Sequence, residues 1–389
     1  MEMKILIVSR LLTVYGGLEK VLSIVSKNLL KDNEIRFLVL TPLSEIKKDI
    51  SEWVEPYKSN KNITYPRVCK KPCVTRLFVR SILGIKNNEI YEILRKFLNE
   101  NFVPDAIVTV DVSLIRSIHK SVRMLKINTK VIGWDHGSLA GSQSLKLKED
   151  PKQFIGKMSG YVRTKNLKYA DAHFAISSGI KEQILKIDRN AKVYTVFNPL
   201  EPYNGSLIER SKIPLFLYVG RIDDGQKNLS FMFKGLSMIK KDWKLIIVGT
   251  GPDEDKLKSL ANDLGISQKI EWRGFKKDPY ENLNEGVTAL LLTSRFEGFP
   301  MVLIEANQRG IPVISSDCQT GPADIVIPGV NGYLYPEGDM DAFVKIVNDV
   351  IDGKVGFGTP EEIAKTAERF DEKKICDNII RVLEEIVKS

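Results

Sequence analysis

The chain has 389 residues, of which 43% are hydrophobic and 28% are charged, and its formal net charge is +9. These proportions are ordinary for a folded globular protein and exclude a disordered, collagen-like or disulfide-stapled chain. The length predicts about two or three domains. The four cysteines lack the paired spacing of metal ligands, which indicates reduced thiols, a cytoplasmic location and no zinc site.

The charge is unevenly distributed along the chain. Residues 1–200 carry 34 basic and 19 acidic side chains, whereas residues 201–389 carry 24 and 30. Because such an asymmetry describes an electric field, it predicts that the first half faces an anionic partner: nucleic acid, a phosphorylated ligand or a membrane. No secretory signal and no run of about 18 apolar residues is apparent, so we expect any membrane contact to be peripheral.

Short strands rich in β-branched residues alternate with amphipathic helices. The first strand, residues 5–8, is followed by a glycine pair and a helix whose apolar residues recur at helical spacing. Further strands of the first half are predicted at residues 37–41, 106–110, 131–134, 174–177 and 193–197, with a helix over 114–125. Strands that alternate with helices predict a parallel sheet covered on both faces.

The same pattern restarts after a linker with two prolines at residues 198–202. Strands are predicted at residues 215–219, 245–248, 270–273, 289–293, 313–315 and 332–335, and helices at 255–264 and 341–351. The restart predicts two βαβ domains, residues 1–198 and 199–369. The last helix, at about residues 370–389, has no following strand, so we expect it to pack back on the first domain.

Two glycine-containing turns could bring backbone close to a ligand. Gly16 and Gly17 lie between the first strand and its helix, whose N-terminus favours an anion. The full G-x-G-x-x-G pattern of dinucleotide-binding turns is absent there and also at Gly249 and Gly251. Each turn by itself is equally consistent with a ligand-binding turn and with a tight connection between strand and helix that binds nothing.

A pair of cations follows the first strand of the second half. Arg221 comes directly after that strand, at the edge where α/β sheets bind ligands, and Lys227 follows six residues later. A planar guanidinium and a mobile ammonium together suit a diphosphate. The alternative is that both are solvated surface cations.

The segment from Ser294 to Ala306 combines features of an anion site and a sugar site. Gly298 frees the backbone, and we expect Pro300 in the first helical turn. Glu297 and Glu305 would lie about 12 Å apart in a continuous helix, which is the scale of a nucleotide sugar. Acidic residues that complement a helix dipole are the alternative. The backbone N–H groups expected to point out of the helix start are those of Gly298, Phe299, Met301 and Val302.

His136 also follows a predicted strand. At that position an imidazole can hydrogen-bond a sugar hydroxyl or stabilise charge at a reacting centre. A lone histidine before a glycine, here Gly137, is more often a residue of a simple turn. The other two histidines, His119 and His173, receive no role from the sequence.

Taken together, these motifs resemble the retaining glycosyltransferases of family 4, which have the GT-B fold. That fold has two Rossmann-like domains that face each other across a cleft, with the C-terminal helix on the N-terminal domain. Several segments are most similar to the bacterial lipopolysaccharide 1,6-galactosyltransferases: residues 293–301, 315–324, 330–335, 134–139, 175–181 and 197–199.

The resemblance implies a UDP-sugar donor and specific roles. The implied catalytic residues are His136 near the anomeric centre, Arg221 and Lys227 on the diphosphate, and Glu297 on the hexose. The implied donor contacts are made to the phosphates by Gly16, Gly17, Arg221 and Lys227, and to the base by the backbone around Gly274 and Phe275. Gly298, Phe299 and Met301 would contact the donor through their amides, and Glu305 would bind the ribose.

No metal or other cofactor is expected. Breaking a sugar–phosphate bond builds negative charge on the diphosphate, and fixed cations and N–H groups stabilise that charge without a metal ion. The two Asp-x-Asp matches, at residues 253–255 and 339–341, lie where helices are predicted to begin. We therefore expect these carboxylates to cap helices.

Two stretches of the first half contain cations and no acidic residue. The cations are Arg67, Lys70, Lys71, Arg76, Arg80 and Lys86 in the first stretch and Arg116, Lys120, Arg123, Lys126 and Lys130 in the second. Each cation near an anionic lipid surface contributes about 1 kcal/mol to binding. The stretches predict a surface that meets the inner leaflet and a lipid-linked acceptor, or simply a solvated face.

The sequence as a whole predicts a metal-independent, retaining hexosyltransferase of the cytoplasm, peripheral on the inner membrane. It would move a hexose, galactose first, from a UDP-sugar to a lipid-linked or oligosaccharide acceptor of a bacterial surface polysaccharide. One alternative is an NDP-sugar epimerase of the same architecture. A nucleic-acid-binding protein would need aromatic platforms or a recognition helix, and neither is apparent. A nicotinamide oxidoreductase is disfavoured by the missing glycine pattern.

Overall fold

A computed structural model describes residues 2–9, 17–29, 31–39, 63–64, 88–98, 102–137, 164–283 and 285–389. The chain divides into two compact units. The first unit comprises Met1–Pro199 and Glu372–Ser389, and the second comprises Leu200–Asp371. Each unit is built on its own sheet. None of the helices in the described ranges combines the length and apolar character needed to cross a bilayer.

The first unit contains a parallel sheet. Its strands within the described residues are β1 (Lys4–Ser9), β2 (Glu34–Val39), β3 (Ile63–Thr64), β4 (Ala106–Thr109), β5 (Lys130–Asp135), β6 (Ala172–Ala175) and β7 (Val193–Thr195), in the order β3-β2-β1-β4-β5-β6-β7. Their helices include α1 (Gly17–Leu29), α2 (Asn88–Leu98), α3 (Ile115–Leu125) and α4 (Ser178–Ile187). The inner strand β1 is buried from Ile5 to Ser9 because parallel strands are covered on both faces.

The second unit repeats this plan. Its strands are β8 (Leu215–Val219), β9 (Lys244–Val248), β10 (Ile270–Gly274), β11 (Ala289–Leu292), β12 (Val313–Asp317) and β13 (Gly332–Pro336), in the order β10-β9-β8-β11-β12-β13. The helices are α5 (Asp224–Lys227), α6 (Leu229–Ser237), α7 (Glu254–Asp263), α8 (Met301–Gln308), α9 (Pro322–Ile325), α10 (Met340–Ile351) and α11 (Pro360–Ala367). Every strand pairing recorded within this unit is parallel.

The last helix, α12 (Glu372–Lys388), returns to the first unit as predicted, where it packs against α1. Its apolar stripe is buried at Ile375, Ile379, Leu383 and Ile386. On the same unit Tyr194 of β7 donates a hydrogen bond to Glu385, at 2.8 Å. The apolar face of the amphipathic helix α12 is therefore buried against the first unit, although the helix follows the second unit in the sequence.

The strand order reverses direction between β1 and β4 in the first sheet and between β8 and β11 in the second. In open α/β sheets, ligands bind beyond the carboxyl ends of the strands at such a reversal. In the second unit the segments that follow β8 and β11 are residues 220–223 and 293–300. The topology therefore places the two predicted motifs side by side.

Three features of the structure differ from the sequence predictions. Strand β6 ends at Ala175 rather than Ser177 because the Ser177 hydroxyl accepts a hydrogen bond from the Ile180 amide and caps α4. Pro300 precedes α8 instead of lying in its first turn. The short helix α5 was not predicted from the sequence.

The two Asp-x-Asp matches behave differently. Asp339 caps α10 by accepting a hydrogen bond from Ala342, at 2.9 Å, as predicted. The prediction is wrong for Asp253, whose carboxylate makes no bond to the first turn of α7. It accepts instead from the Asp224 amide at 2.8 Å. This carboxylate therefore holds the start of α5, close to Lys227.

We expect Gly249→Ala to destabilise the protein strongly. Gly249 has a φ of +142°, and a Cβ there would lie 1.9 Å from the carbonyl oxygen of Gly220. The overlap and the backbone strain together cost about 2 kcal/mol or more. The free energy of unfolding in urea measures the effect.

Gly265→Ala is the matched control, because its φ is +67° but no described atom lies within 4 Å of a Cβ there. We expect it to cost about 1 kcal/mol through strain alone. Equal losses in the two variants would contradict the role assigned to the close approach of Gly249 and Gly220.

Candidate active site

The candidate site lies beyond the carboxyl ends of β8 and β11. Arg221 is on the segment after β8, and Lys227 is the last residue of α5. Glu297 lies between β11 and α8, in the segment 293–300. Because β8 and β11 are neighbours in the sheet, Lys227 and Glu297 are in contact despite their distance in the sequence.

Lys227 and Glu297 form a partly buried ion pair. The distance from Lys227 Nζ to Glu297 Oε1 is 2.6 Å, and the two side chains are 17% and 8% exposed. The hydroxyl of Ser294 donates a hydrogen bond to the same carboxylate oxygen, also at 2.6 Å. Reduced exposure to water strengthens such a contact. The structure thus joins two residues that the sequence singled out in separate motifs.

Side chains of the segment 293–300 hold the backbone that carries Lys227. The Thr293 hydroxyl donates to the carbonyl oxygens of Lys227 and Asn228, at 2.9 and 3.1 Å. The Arg295 guanidinium donates to the Gly225 carbonyl at 3.1 Å. These hydrogen bonds hold α5 against the segment that follows β11. The backbone from which the Lys227 side chain extends is therefore fixed.

Arg221 is more exposed than Lys227, with 62% of its side chain accessible. Its Nη2 atom lies 2.8 Å from Asp223 Oδ2 and 3.2 Å from Gln226 Oε1. Its carbonyl accepts a hydrogen bond from the Tyr218 hydroxyl at 2.8 Å. Burial raises the pKa of Tyr218, so this phenol remains a neutral donor. The backbone of Arg221 is therefore fixed while its guanidinium faces solvent.

The start of α8 presents backbone amides. The first bond within the helix runs from the Leu303 amide to the Pro300 carbonyl, at 3.0 Å. The amides of Met301 and Val302 precede that bond and belong to the helix N-terminus, which favours anions. Phe299 is buried and its ring packs edge-on against Phe370. Its backbone, rather than its ring, lies at the candidate site.

Glu305 lies one turn into α8 and is partly exposed. The helix end is held by Arg309, which donates to the Glu305 carbonyl at 3.0 Å. The Arg309 guanidinium carbon lies 4.3 Å from the ring centres of both Tyr203 and Tyr280. Stacking between two rings fixes the guanidinium and, with it, the turn that carries Glu305.

Gly274 ends β10 with a φ of +64° at a shift in strand register. Its carbonyl accepts a hydrogen bond from the Gly249 amide at 2.8 Å. The following Phe275 is 75% exposed. The two residues therefore lie at the carboxyl edge of the sheet, as the strand prediction required.

In the first unit His136 follows β5. Burial lowers the pKa of its imidazole to about 3, so the ring is neutral at physiological pH. Its Nε2 atom is buried and has no hydrogen-bond partner among the described residues. Gly17 is the first residue of α1 and is exposed. Gly16 lies outside the described residues.

The sequence assigned no role to Asp135 and His173, which form a fully buried pair under the turn that carries His136. His173 Nδ1 lies 3.2 Å from Asp135 Oδ2, and His173 Nε2 lies 3.0 Å from the Leu167 carbonyl oxygen. Because a carbonyl only accepts, the contact with Leu167 requires a hydrogen on Nε2. Gly133 makes the space, since a Cβ there would lie 2.8 Å from His173 Nδ1.

In the ranges that the structure describes, no group of three or more His, Cys, Asp and Glu side chains could hold a metal ion.

Comparisons with known proteins decide the family. The family model for glycosyl transferases group 1 matches residues 203–386. The chain is 37% identical over 297 residues to the lipopolysaccharide 1,6-galactosyltransferase of Escherichia coli K12, covering 75% of this chain and 77% of that protein. This chain belongs to the group 1 glycosyltransferases. The corresponding protein of Salmonella typhimurium is 39% identical over 274 residues, which cover 69% of this chain and 71% of that protein.

Solved structures confirm the fold of this glycosyltransferase. The apo form of the lipopolysaccharide outer core galactosyltransferase WaaB superposes with a TM-score of 0.79 at 30% identity, covering 98% of this chain and 99% of that chain. HepE from Anabaena in complex with UDP shares the fold, with a TM-score of 0.71 at 16% identity, covering 98% of this chain and 100% of that chain. The predictions of a GT-B fold and of a glycosyltransferase are confirmed, and these relatives give no support to an epimerase.

We expect the stability of this glycosyltransferase to depend on pH through His136. Its pKa is about 3 in the folded chain against 6.5 for the free imidazole. Below about pH 6.5 the unfolded chain therefore binds one more proton than the folded chain, and the free energy of unfolding falls by up to ~1.4 kcal/mol per pH unit.

Urea unfolding of the wild type and of His136→Gln, at about pH 7.5 and about pH 5.5, measures this contribution. The difference in the free energy of unfolding between wild type and His136→Gln should change by about 1.4 kcal/mol between these two pH values. A difference independent of pH would show that His136 titrates normally.

Proposed function

We propose that this glycosyltransferase moves a hexose, galactose in the first instance, from a UDP-sugar to a glycan acceptor, with retention of configuration and without a metal ion. The observation that carries the proposal is the contact between Lys227 and Glu297 at the strand-order reversal, at 2.6 Å. One group suits a diphosphate and the other suits sugar hydroxyls. The names of the two lipopolysaccharide 1,6-galactosyltransferase relatives support galactose and a lipopolysaccharide acceptor.

The donor diphosphate would lie against Arg221, Lys227 and the first amides of α8. As the bond between the sugar and the phosphate breaks, its electron pair goes to the departing UDP. Fixed cations and N–H groups stabilise the charge that develops there, which is the role otherwise taken by a metal ion.

The sugar and nucleoside would be held by the two glutamates. Glu297 would accept hydrogen bonds from hexose hydroxyls, and Glu305 would accept them from the ribose. The neutral imidazole of His136 would hydrogen-bond near the anomeric carbon. The acceptor hydroxyl would attack from the face that UDP leaves, and its proton would pass to the departing phosphate oxygen.

A panel of UDP-sugars tests the reaction. UDP release should be fastest with UDP-galactose, should require an acceptor such as truncated bacterial lipopolysaccharide, and should be unchanged by a chelator. Release of UDP without acceptor, or a product with altered hexose stereochemistry and no transfer, would favour an epimerase. Loss of activity with chelator would overturn the metal-independent part of the proposal.

Two variants separate the proposed roles of the ion pair. Lys227→Met should weaken UDP and UDP-hexose binding alike and lower kcat by about 100-fold to 1,000-fold, because a charge at the leaving group is lost. Glu297→Gln should weaken UDP-hexose binding while UDP binding is retained. Calorimetry with each ligand measures the split.

The control for these variants is Lys256→Met, since Lys256 contacts Asp224 at 3.2 Å and is 67% exposed. It removes a cation near α5 without touching Glu297. If the control lowers activity as much as Lys227→Met, the phosphate role of Lys227 is contradicted.

We propose further that the enzyme acts at the cytoplasmic face of an anionic membrane, with a lipid-linked acceptor and no nucleic-acid partner. Helix α3 supports this proposal. Lys120 and Arg123 are exposed on it, Lys126 is exposed directly after its end, and Met124 among them is 57% exposed. Cations around an apolar side chain suit a lipid surface. The first basic stretch, residues 67–86, lies outside the described residues.

Flotation with vesicles tests the membrane proposal. Binding should be strong to vesicles with anionic phosphatidylglycerol, weak to neutral phosphatidylcholine, and reduced when Lys120, Arg123 and Lys126 are all replaced by Gln. The control replaces Lys234, Lys240 and Lys244, exposed cations of the second unit, by Gln. Equal loss in both triple variants would indicate an effect of net charge alone, and tight binding to DNA would contradict the exclusion of nucleic acid.

A further inference from the structure

Ser294 is the first residue of the segment singled out in the sequence, but its side chain was given no role there. It is fully buried, and its hydroxyl donates to Glu297 Oε1 at 2.6 Å. Lys227 Nζ contacts that same oxygen at 2.6 Å. A serine hydroxyl has one hydrogen to donate, so its donor capacity is committed to the carboxylate.

The position of Ser294 is itself fixed by the sheet. Its carbonyl accepts a hydrogen bond from the Ser316 hydroxyl of the neighbouring strand β12, at 2.7 Å. On the other side of Glu297, the Thr320 hydroxyl donates to the Glu297 carbonyl. Both the backbone and the carboxylate of Glu297 are therefore held by hydroxyl groups that come from strand ends.

The two carboxylate oxygens of Glu297 have different surroundings. Oε1 receives both Lys227 and Ser294, whereas Oε2 accepts no hydrogen bond from the residues that the structure describes. A carboxylate oxygen can accept two or more hydrogen bonds. Fixing Oε1 therefore sets the direction in which Oε2 faces.

We propose that Ser294 is a positioning residue for sugar transfer, which orients Glu297 so that Oε2 meets the hydroxyls of the donor hexose. The inference rests on the proposed function. The hydrogen bond from Ser294 would also serve Glu297 during donor binding, when the diphosphate attracts the Lys227 ammonium away from the carboxylate. Ser294 then keeps Oε1 hydrogen-bonded. Without it, the carboxylate of Glu297, whose side chain is 8% exposed, would lose its partner.

The first test compares ligands in Ser294→Ala. The affinity for UDP should stay within about twofold of wild type, because in the proposed arrangement the hexose, which UDP lacks, is the group that hydrogen-bonds Glu297. The affinity for UDP-galactose and kcat should each fall about tenfold or more, as expected for loss of a hydrogen bond to a charged group. Ser294→Thr keeps the hydroxyl and should recover part of both.

Ser315→Ala is the matched control. Ser315 is equally buried, and its hydroxyl donates only to the Ser316 carbonyl, at 3.0 Å. This variant should retain the UDP-galactose affinity and kcat of the wild type. Equal losses in Ser294→Ala and Ser315→Ala, or parallel losses of UDP and UDP-galactose affinity, would overturn the positioning role in favour of a structural one.

A double-mutant cycle with Glu297→Gln tests whether Ser294 acts through that residue. In the Glu297→Gln background, Ser294→Ala should have little further effect on kcat, because coupled residues are not additive. Additive losses would overturn the inference. If Ser294→Ala does not fold, Ser294→Cys, which has similar volume and a weaker donor, is measured in the same way. Failure of Ser294→Cys to fold as well would show a structural role.

Ligand binding by the wild-type protein distinguishes failure of the proposed function from failure of the role of Ser294. Wild-type protein that bound neither UDP nor UDP-galactose would contradict the donor assignment before any variant was compared. Wild-type protein that binds both, together with an unchanged Ser294→Ala, would contradict only the role of Ser294.

Discussion

The contact between the Lys227 ammonium and the Glu297 carboxylate is the interaction on which the candidate site depends. Two charges that leave water lose hydration, and their attraction compensates for that loss only when further hydrogen bonds complete the arrangement. Here Ser294 donates to the carboxylate, and Thr293 holds the carbonyl of Lys227. The buried hydroxyl groups of Thr293 and Ser294 therefore offset part of the hydration that this ion pair loses on burial.

The same pair links folding to function through topology. Lys227 and Glu297 are 70 residues apart in the sequence, and only the adjacency of β8 and β11 brings them together. An exposed Arg221, the largely buried Lys227 ammonium and the N-terminus of α8 all lie at this end of the second sheet. Within the first unit, His136 directly follows Asp135, which forms a buried pair with His173.

Much of the fold follows from sequence patterns, because alternating strands and amphipathic helices have few parallel solutions. Strand β8 and helix α10 were predicted within one residue of their ends. Patterns failed where a polar side chain had several possible partners. Asp253 was predicted to cap α7 and instead binds the amide of Asp224, and Ser177 leaves β6 to cap α4. Such choices depend on which neighbour is closest in space.

By itself, the sequence determined the alternation of strands and helices, the motifs after strand ends and the chemistry that Lys227 and Glu297 can offer. Those properties are local, since they arise from side-chain type and periodicity along a few consecutive residues. Only the tertiary structure decided that one oxygen of Glu297 is shared by Lys227 and Ser294, and that Gly133 makes room for His173 beside Asp135. These are contacts across neighbouring strands, whose order and register no local pattern specifies.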